Sequence, residues 1–482
     1  VPPFEQVQLI GLDFGTTTSS AVMAGALLTR NSVTGRTELA QVRECFRSNM
    51  VFTPFCGDCL DEERLAEYLD GWLSAGKAHA AEIFGGGALL TGLAARSENA
   101  AAITRLIRRR LGDALVATAD DPCLESWLAF MGNCAVLSRK HPDTWIINLD
   151  IGGGTTNLAL GHGGEVLQTG CLFVGARHIQ VRPGTYTITK LSSYARSLLD
   201  HLGITKSVGD SLIQPEVDAI VDFYLRLLHG AVSGDGAMFE APVARVHEQV
   251  PFMIPCMMPT GISETILTLS GGVGELVYSA LEGRPLPPQS HYGDLGIDLA
   301  RRLLQAGFLT DECRRYRPDG GGRATVYGLL QHSTQISGST VYLPHPEDLP
   351  LADLPILGTI RESSSDEDLR RLLDLVRRHA RGGCLRVEST NHGPEGVRVM
   401  GRRLAEALRH LDFPSDQPLV IFVQQNLGKV LGHYISEWGA LPLHLAVVDE
   451  ICVRHAHYAH LGMIRDQVVP VSVYGLVPTG RP

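Results

Sequence analysis

The sequence predicts an α/β protein of more than one domain, and three observations carry that prediction. Hydrophobic strands end three times in glycine-rich turns, and amphipathic helices lie between those turns. From about residue 339 onward, helices and strands alternate as they do in a domain built on a mostly parallel sheet. A chain of 482 residues is also too long for one small core and suggests two to four domains.

The turns are Gly11-Leu12-Asp13-Phe14-Gly15-Thr16-Thr17-Thr18, then Asn148-Leu149-Asp150-Ile151-Gly152-Gly153-Gly154-Thr155, then Leu269-Ser270-Gly271-Gly272-Val273-Gly274-Glu275. Glycine lets a backbone approach a phosphate closely, and successive N–H groups then form an anion-binding nest. Thr16, Thr17 and Thr155 add hydroxyl donors at the same edge. Asp13 and Asp150 end apolar strands, where a carboxylate is costly unless a positive charge meets it. A hydrated Mg²⁺ bridging phosphate oxygens supplies that charge with few protein ligands. Any one turn alone reads equally well as an ordinary hairpin with capping Asp and Thr. Two Asp-x-Gly hairpins followed by a Gly-Gly turn describe a phosphate clamp for ATP.

Composition narrows the field further. The formal net charge of −10 argues against a general nucleic-acid binder, which needs a basic face. No apolar run reaches membrane-spanning length. Val1-Pro2-Pro3-Phe4 lacks the parts of a signal peptide, and the ten scattered cysteines do not form a disulfide framework, so a cytoplasmic setting is expected. Cys56-Gly57-Asp58-Cys59 lacks a second ligand pair for zinc and reads as two incidental thiols in a loop.

Along the chain, a strand and hairpin over 7–23 lead through a polar, irregular region to Asp61. There Asp61-Glu62-Glu63 opens a helix with Leu65, Leu69, Trp72 and Leu73 on one face. A glycine-rich strand over 85–92 precedes a basic helix over 101–111, whose Arg108-Arg109-Arg110 run reads as a solvated face. Further helices are expected over 125–136, 192–202 and 215–228. Gly132 and Gly328 have the small size that lets two helices cross at a hinge. The C-terminal alternation places helices over 366–378, 397–411 and 429–438 and strands over 384–388, 419–423 and 443–448, with a helix cap in 363–366. The loop 424–429 reads as a plain strand-to-helix connection, Asp449-Glu450 as ambiguous, and His455, His457 and His460 as surface histidines.

The hairpins, the helix before the second one, the Gly-Gly turn and the later Gly-bearing helix resemble the actin, heat-shock chaperone and sugar-kinase ATPase superfamily. More narrowly, the chain resembles the reactivating factors of ethanolamine ammonia-lyase. That likeness rests on Gly11 to Thr18, Leu90-Thr91-Gly92, Leu124-Glu125-Ser126, Asn148 to Thr155 and Leu269 to Glu275. It continues through Ile336-Ser337-Gly338-Ser339-Thr340, Gly428-Lys429-Val430-Leu431-Gly432 and Val448-Asp449-Glu450. Leu93 departs from the family, which has an acidic residue after the Thr-Gly pair.

The resemblance implies a two-lobed actin-like (ribonuclease H-like) core with an additional C-terminal α/β domain. The expected division is 1–135, 136–338 and 339–482. ATP and Mg²⁺ are the implied cofactors, with Asp13 and Asp150 on the metal through water. Gly15, Thr16 and Thr17 with Gly152, Gly153, Gly154 and Thr155 hold phosphates, and Gly271, Gly272, Gly274 and Glu275 lie at adenosine. Glu125 orients the attacking water, with Asp121 as rival. The implied partner is inactivated ethanolamine ammonia-lyase holoenzyme, from which ATP-driven closure releases damaged cobalamin so that adenosylcobalamin can rebind. Related diol or glycerol dehydratases, a small-molecule kinase of the same fold and an actin-type filament stay open. So do self-association and association with a bacterial microcompartment.

Overall fold

The computed structural model describes residues 5–476 except 32–34, 58, 96, 113–114, 119–120, 253–264, 308–309, 319, 389–392 and 466. The side chains of 81, 93 and 115–118 also lie outside the description, so Asp58, Leu93 and the first four residues are not treated further.

Two sheets repeat one topology. In the first, strands Thr37–Arg47, Thr18–Arg30 and Glu5–Phe14 run antiparallel in that spatial order; Ile83–Leu90 and then Leu115–Thr118 add in parallel. In the second, Glu165–Leu172, Thr156–His162 and Trp145–Ile151 run antiparallel and Thr265–Ser270 adds in parallel. Strand Glu248–Val250 lies at the far edge. Each sheet therefore presents its Asp-x-Gly hairpin at the same end. Two sheets of this topology make a two-lobed core, as the resemblance implies.

Side-chain patterning explains the covering helices. Asp61 accepts the Arg64 N–H at 3.0 Å and caps helix Glu62–Ala75, which buries Leu65, Leu69 and Trp72 against the first sheet. Helix Gln214–Ser233 buries Val217, Ile220, Tyr224 and Leu227 in the core of the second. Helices Pro122–Asn133 and Ala324–His332 cross between the two sheets. A Cβ on Gly132 would stand 1.9 Å from the Ala324 carbonyl oxygen, and one on Gly328 would stand 2.0 Å from that of Leu128. Only glycine permits that crossing, as the sequence suggested.

A third, seven-stranded sheet runs through Thr334–Ile336, Pro470–Leu476, Ala456–Leu461, Leu351–Arg361, Gly383–Glu388, Leu419–Val423 and Leu445–Val448. Its last four strands are parallel, and helices Asp366–Arg378, Pro394–His410 and Gly428–Ile435 cover one face.

Several expectations need correcting. The region before Asp61 contains the long strand Thr37–Arg47, whose mostly exposed residues hide an edge strand behind a polar pattern. The helix expected over 125–136 starts earlier, at Pro122, and breaks at Cys134. That over 429–438 ends at Ile435, and Glu437 and Trp438 just beyond it adopt left-handed φ of 49° and 60°. The C-terminal sheet is mixed, since Ala456–Leu461 and Pro470–Leu476 join it antiparallel. Cys56 and Cys59 sit opposite each other in a small antiparallel hairpin. The arginine run is not simply solvated: Arg108 forms a two-pronged pair with Asp353, and Arg110 another with Asp70. His460 is buried while His455 and His457 are exposed, and no metal-binding cluster is present among the described residues.

Candidate functional site

The two hairpins build matching turns. Asp13 pairs with Ser20 across the first, and the Gly15 N–H donates to the Thr18 carbonyl at 3.0 Å. Asp150 pairs with Asn157 across the second, and the Gly152 N–H donates to Thr155 at 2.9 Å. The turns face each other closely: a Cβ on Gly153 would lie 2.3 Å from Thr17 Oγ1, and one on Gly154 would lie 3.4 Å from Thr16 Oγ1. Backbone and hydroxyl donors of both lobes therefore converge on one cleft.

Three carboxyl groups share that cleft. Burial, and then the Asp150 charge, pushes Asp13 up to about 7, opposed by a 3.3 Å hydrogen bond from Thr91 Oγ1. Burial pushes Asp150 up to about 6, opposed by Ser270 Oγ donating at 2.6 Å. Ser270 in turn accepts from Asn148 Nδ2, and Asn148 Oδ1 accepts from Asn133 Nδ2, both at 2.9 Å. Glu125 is raised well above the carboxylate range by burial and then by Asp13 and Asp150. Among the described residues, no cation figures in what acts on any of the three. A buried Asp150 and a half-buried Asp13, paired oxygen donors lacking such a countercharge, fit a hard divalent ion such as Mg²⁺.

Glu125 and Asp121 face different places. Glu125 lines a cavity of about 260 Å³ together with Thr16, Gly92 and Gly153 to Thr155. Asp121 spends its carboxylate on backbone: Oδ1 accepts the Leu124 N–H, and Oδ2 accepts those of Gly475 at 2.6 Å and Leu476 at 3.1 Å. The structure thus brings Glu125, Asp13 and Asp150 together and turns Asp121 toward the C-terminal sheet.

The third turn divides its labour. Gly271 has φ of 74° and packs on the second hairpin, since a Cβ there would lie 2.6 Å from the Ile151 carbonyl oxygen. Gly274 packs on Leu269, while a Cβ on Gly272 would meet nothing within 4 Å. Glu275 lies on helix Gly271–Leu281 and accepts the Gly322 N–H at 2.8 Å, which ties that helix to the turn entering Ala324–His332.

Sequence reasoning missed the roles of Ser270 and Asn148, which lie inside the quoted turns but read there as neutral spacers. It also missed Arg177, an isolated residue in an irregular segment with no pattern to flag it. The three late segments, far apart in sequence, meet at one knot. Thr340 Oγ1 bonds Asn426 Oδ1 at 2.6 Å and also Asp449, and a Cβ on Gly428 would lie 2.7 Å from the Thr340 carbonyl oxygen. With a buried carboxylate against the start of helix Gly428–Ile435, this loop is a strand-to-helix connection and not an anion site.

A family model described as ethanolamine utilisation protein EutA matches residues 5–478. The chain belongs to that family. Ethanolamine ammonia-lyase reactivase EutA of Salmonella typhimurium is 28% identical over 491 residues, covering 98% of each chain. The Escherichia coli reactivase of the same name is 28% identical over 495 residues, again covering 98% of each. Among solved structures, the Aquifex aeolicus PPX-GPPA enzyme aligns over 68% of this chain and 89% of its own, at 14% identity and a TM-score of 0.34. MreB5 of Spiroplasma citri bound to AMPPNP aligns over 65% and 100%, at 14% identity and a TM-score of 0.28. The family assignment agrees with the resemblance read from the separated sequence blocks.

Proposed function

We propose that this protein is an ATP-dependent reactivating factor for ethanolamine ammonia-lyase, using a Mg²⁺-dependent ATPase cycle to release damaged cobalamin. The observation that carries the reading is the pair of buried Asp150 and half-buried Asp13 between two glycine turns, with no countercharge acting on either among the described residues. Family membership and the names of both relatives supply the client.

In this reading Asp13 and Asp150 hold the metal through water. The turns Gly15 to Thr17 and Gly152 to Thr155 hold phosphates, and Gly272 faces adenosine. Mg²⁺, when bound, neutralises phosphate charge. Glu125 orients a water toward the terminal phosphorus and takes its proton as the bond to the bridging oxygen breaks; ADP leaves with that electron pair. Burial and the Asp13 and Asp150 charges hold Glu125 above the ordinary carboxylate range, which makes it more basic than a free carboxylate. The lobes 1–135 and 136–338 then change their closure about the crossing helices as the terminal phosphate comes and goes, and the domain 339–482 follows.

The test starts from lyase inactivated with a cobalamin lacking the adenosyl group. This protein, fresh adenosylcobalamin and Mg²⁺ are added with and without ATP. Recovery that needs ATP and fails with Asp150→Ala supports the proposal. No recovery by a folded, ATP-binding protein refutes the assignment of this client.

A further inference from the structure

The cavity beside the glycine turns continues away from the third turn, none of whose glycines borders it. Its lining also includes Arg177, His178 and Tyr194, and Arg177 is the only Lys or Arg among the described lining residues. Its position is fixed by the second turn. The Arg177 N–H donates to the Gly153 carbonyl at 2.7 Å, and the neighbouring Ala176 N–H donates to Gly152 at 3.1 Å. A Cβ on Gly153 would stand 3.4 Å from Arg177 Cγ and Cδ, so the side chain lies along the turn.

That guanidinium lacks a settled partner. Its Nε is buried and makes no hydrogen bond, and no carboxylate forms an ion pair with it among the described residues. Burial lowers its pKa, and the field of Asp294 alone offsets this. Asp294 itself is engaged elsewhere, with Oδ1 accepting the Gly296 N–H at 2.9 Å. A structural arginine would be expected to close a fork on a carboxylate, as Arg108 does on Asp353. Guanidinium stays charged in proteins, so a half-buried one with an idle donor beside a phosphate-binding turn is poised for an incoming oxyanion.

We infer that Arg177 forms an oxyanion subsite that engages the terminal phosphoryl group of bound ATP and holds orthophosphate after cleavage. The inference rests on the nucleotide reading of the cleft and adds to it the group that distinguishes triphosphate from diphosphate. Arg177 hangs from the same turn that carries the second set of phosphate donors. Recognition of the terminal phosphate is thereby built into the hairpin of one lobe.

The experiment measures binding of ADP and of a non-hydrolysable ATP analogue, both with Mg²⁺, by calorimetry on native protein, Arg177→Gln and Arg177→Lys. Thermal unfolding checks that each variant is folded. Arg177→Gln is expected to bind ADP within about twofold of native and to lose ~10- to 100-fold toward the analogue, the range for a charged hydrogen bond. Arg177→Lys is expected to recover part of that loss. Orthophosphate should tighten ADP binding to native protein but not to Arg177→Gln. Equal losses for both nucleotides in both variants would mean that Arg177 only shapes the turn, and unchanged affinities would remove it from the site; either result overturns the inference. Native protein that binds neither nucleotide would overturn the nucleotide reading itself, and the inference with it.

Discussion

Replacing Asp150 with Asn separates the energetic cost of the site from its use. The unfolded carboxyl titrates near 3.8 and the folded one at about 6. A raised folded value means that the native state holds the proton more tightly. The group therefore favours folding below pH 4, and that advantage is lost as pH rises through 6. The difference amounts to ~3 kcal/mol between acid and pH 8, at 1.36 kcal/mol per pH unit. Asn stays neutral at every pH and can still accept from Ser270. Without Mg²⁺ and nucleotide, Asp150→Asn should be ~3 kcal/mol more stable than native protein at pH 8, and by about half of that at pH 5. The gain should read as several degrees in Tm by fluorimetric melting. Mg²⁺ and ATP at a thousand times Kd should reverse the order, because they stabilise the native protein by ~4.1 kcal/mol while the variant has lost the binding carboxylate. A variant that melts below native protein at pH 8 without ligand would refute the reasoning. The carboxylate would then be contributing net stability through contacts that its burial does not suggest.

Three further variants probe the neighbourhood. Glu125→Gln should retain nucleotide binding by calorimetry while ATP hydrolysis falls ~10²- to 10⁴-fold, the usual contribution of a positioned acid–base group. Gly328→Ala places a methyl carbon against the Leu128 carbonyl and should cost ~1–3 kcal/mol, measured as a lower Tm. Asp121→Ala removes a helix cap worth ~0.5–2 kcal/mol and frees two backbone N–H groups. Hydrogen exchange should show faster exchange at Gly475 and Leu476 as well as at the start of helix Pro122–Asn133.

The parts of the fold legible in the sequence are those where one local rule decides. Asp61 before an acidic first turn, the serine run 363–365 before Asp366, and the apolar spacing from Val217 to Leu228 each point to one element, and each is found. Thr37–Arg47 escaped because an edge strand facing solvent shows no period-2 apolar pattern. Trp438 escaped because it adopts a left-handed backbone without being glycine. At the site, the glycine turns and their aspartates could be read because the chemistry sits in contiguous residues. The knot of Thr340, Asn426 and Asp449, the network from Asn133 to Ser270, and Arg177 could not. Each depends on segments that only the folded chain brings together.

The strand Pro470–Leu476 is the last described in the chain and the most remote in sequence from the first phosphate turn. At one end it pairs with Thr334–Ile336, directly after crossing helix Ala324–His332. At the other, Gly475 and Leu476 are held by Asp121, at the beginning of crossing helix Pro122–Asn133. One strand thus tethers the tail of one hinge helix to the head of the other, over a span of about 20 Å. Extended backbone barely stretches, so this strand is a strut that holds the two helix ends at a set distance, and the spacing of the crossing is measured out by a strand of the third sheet.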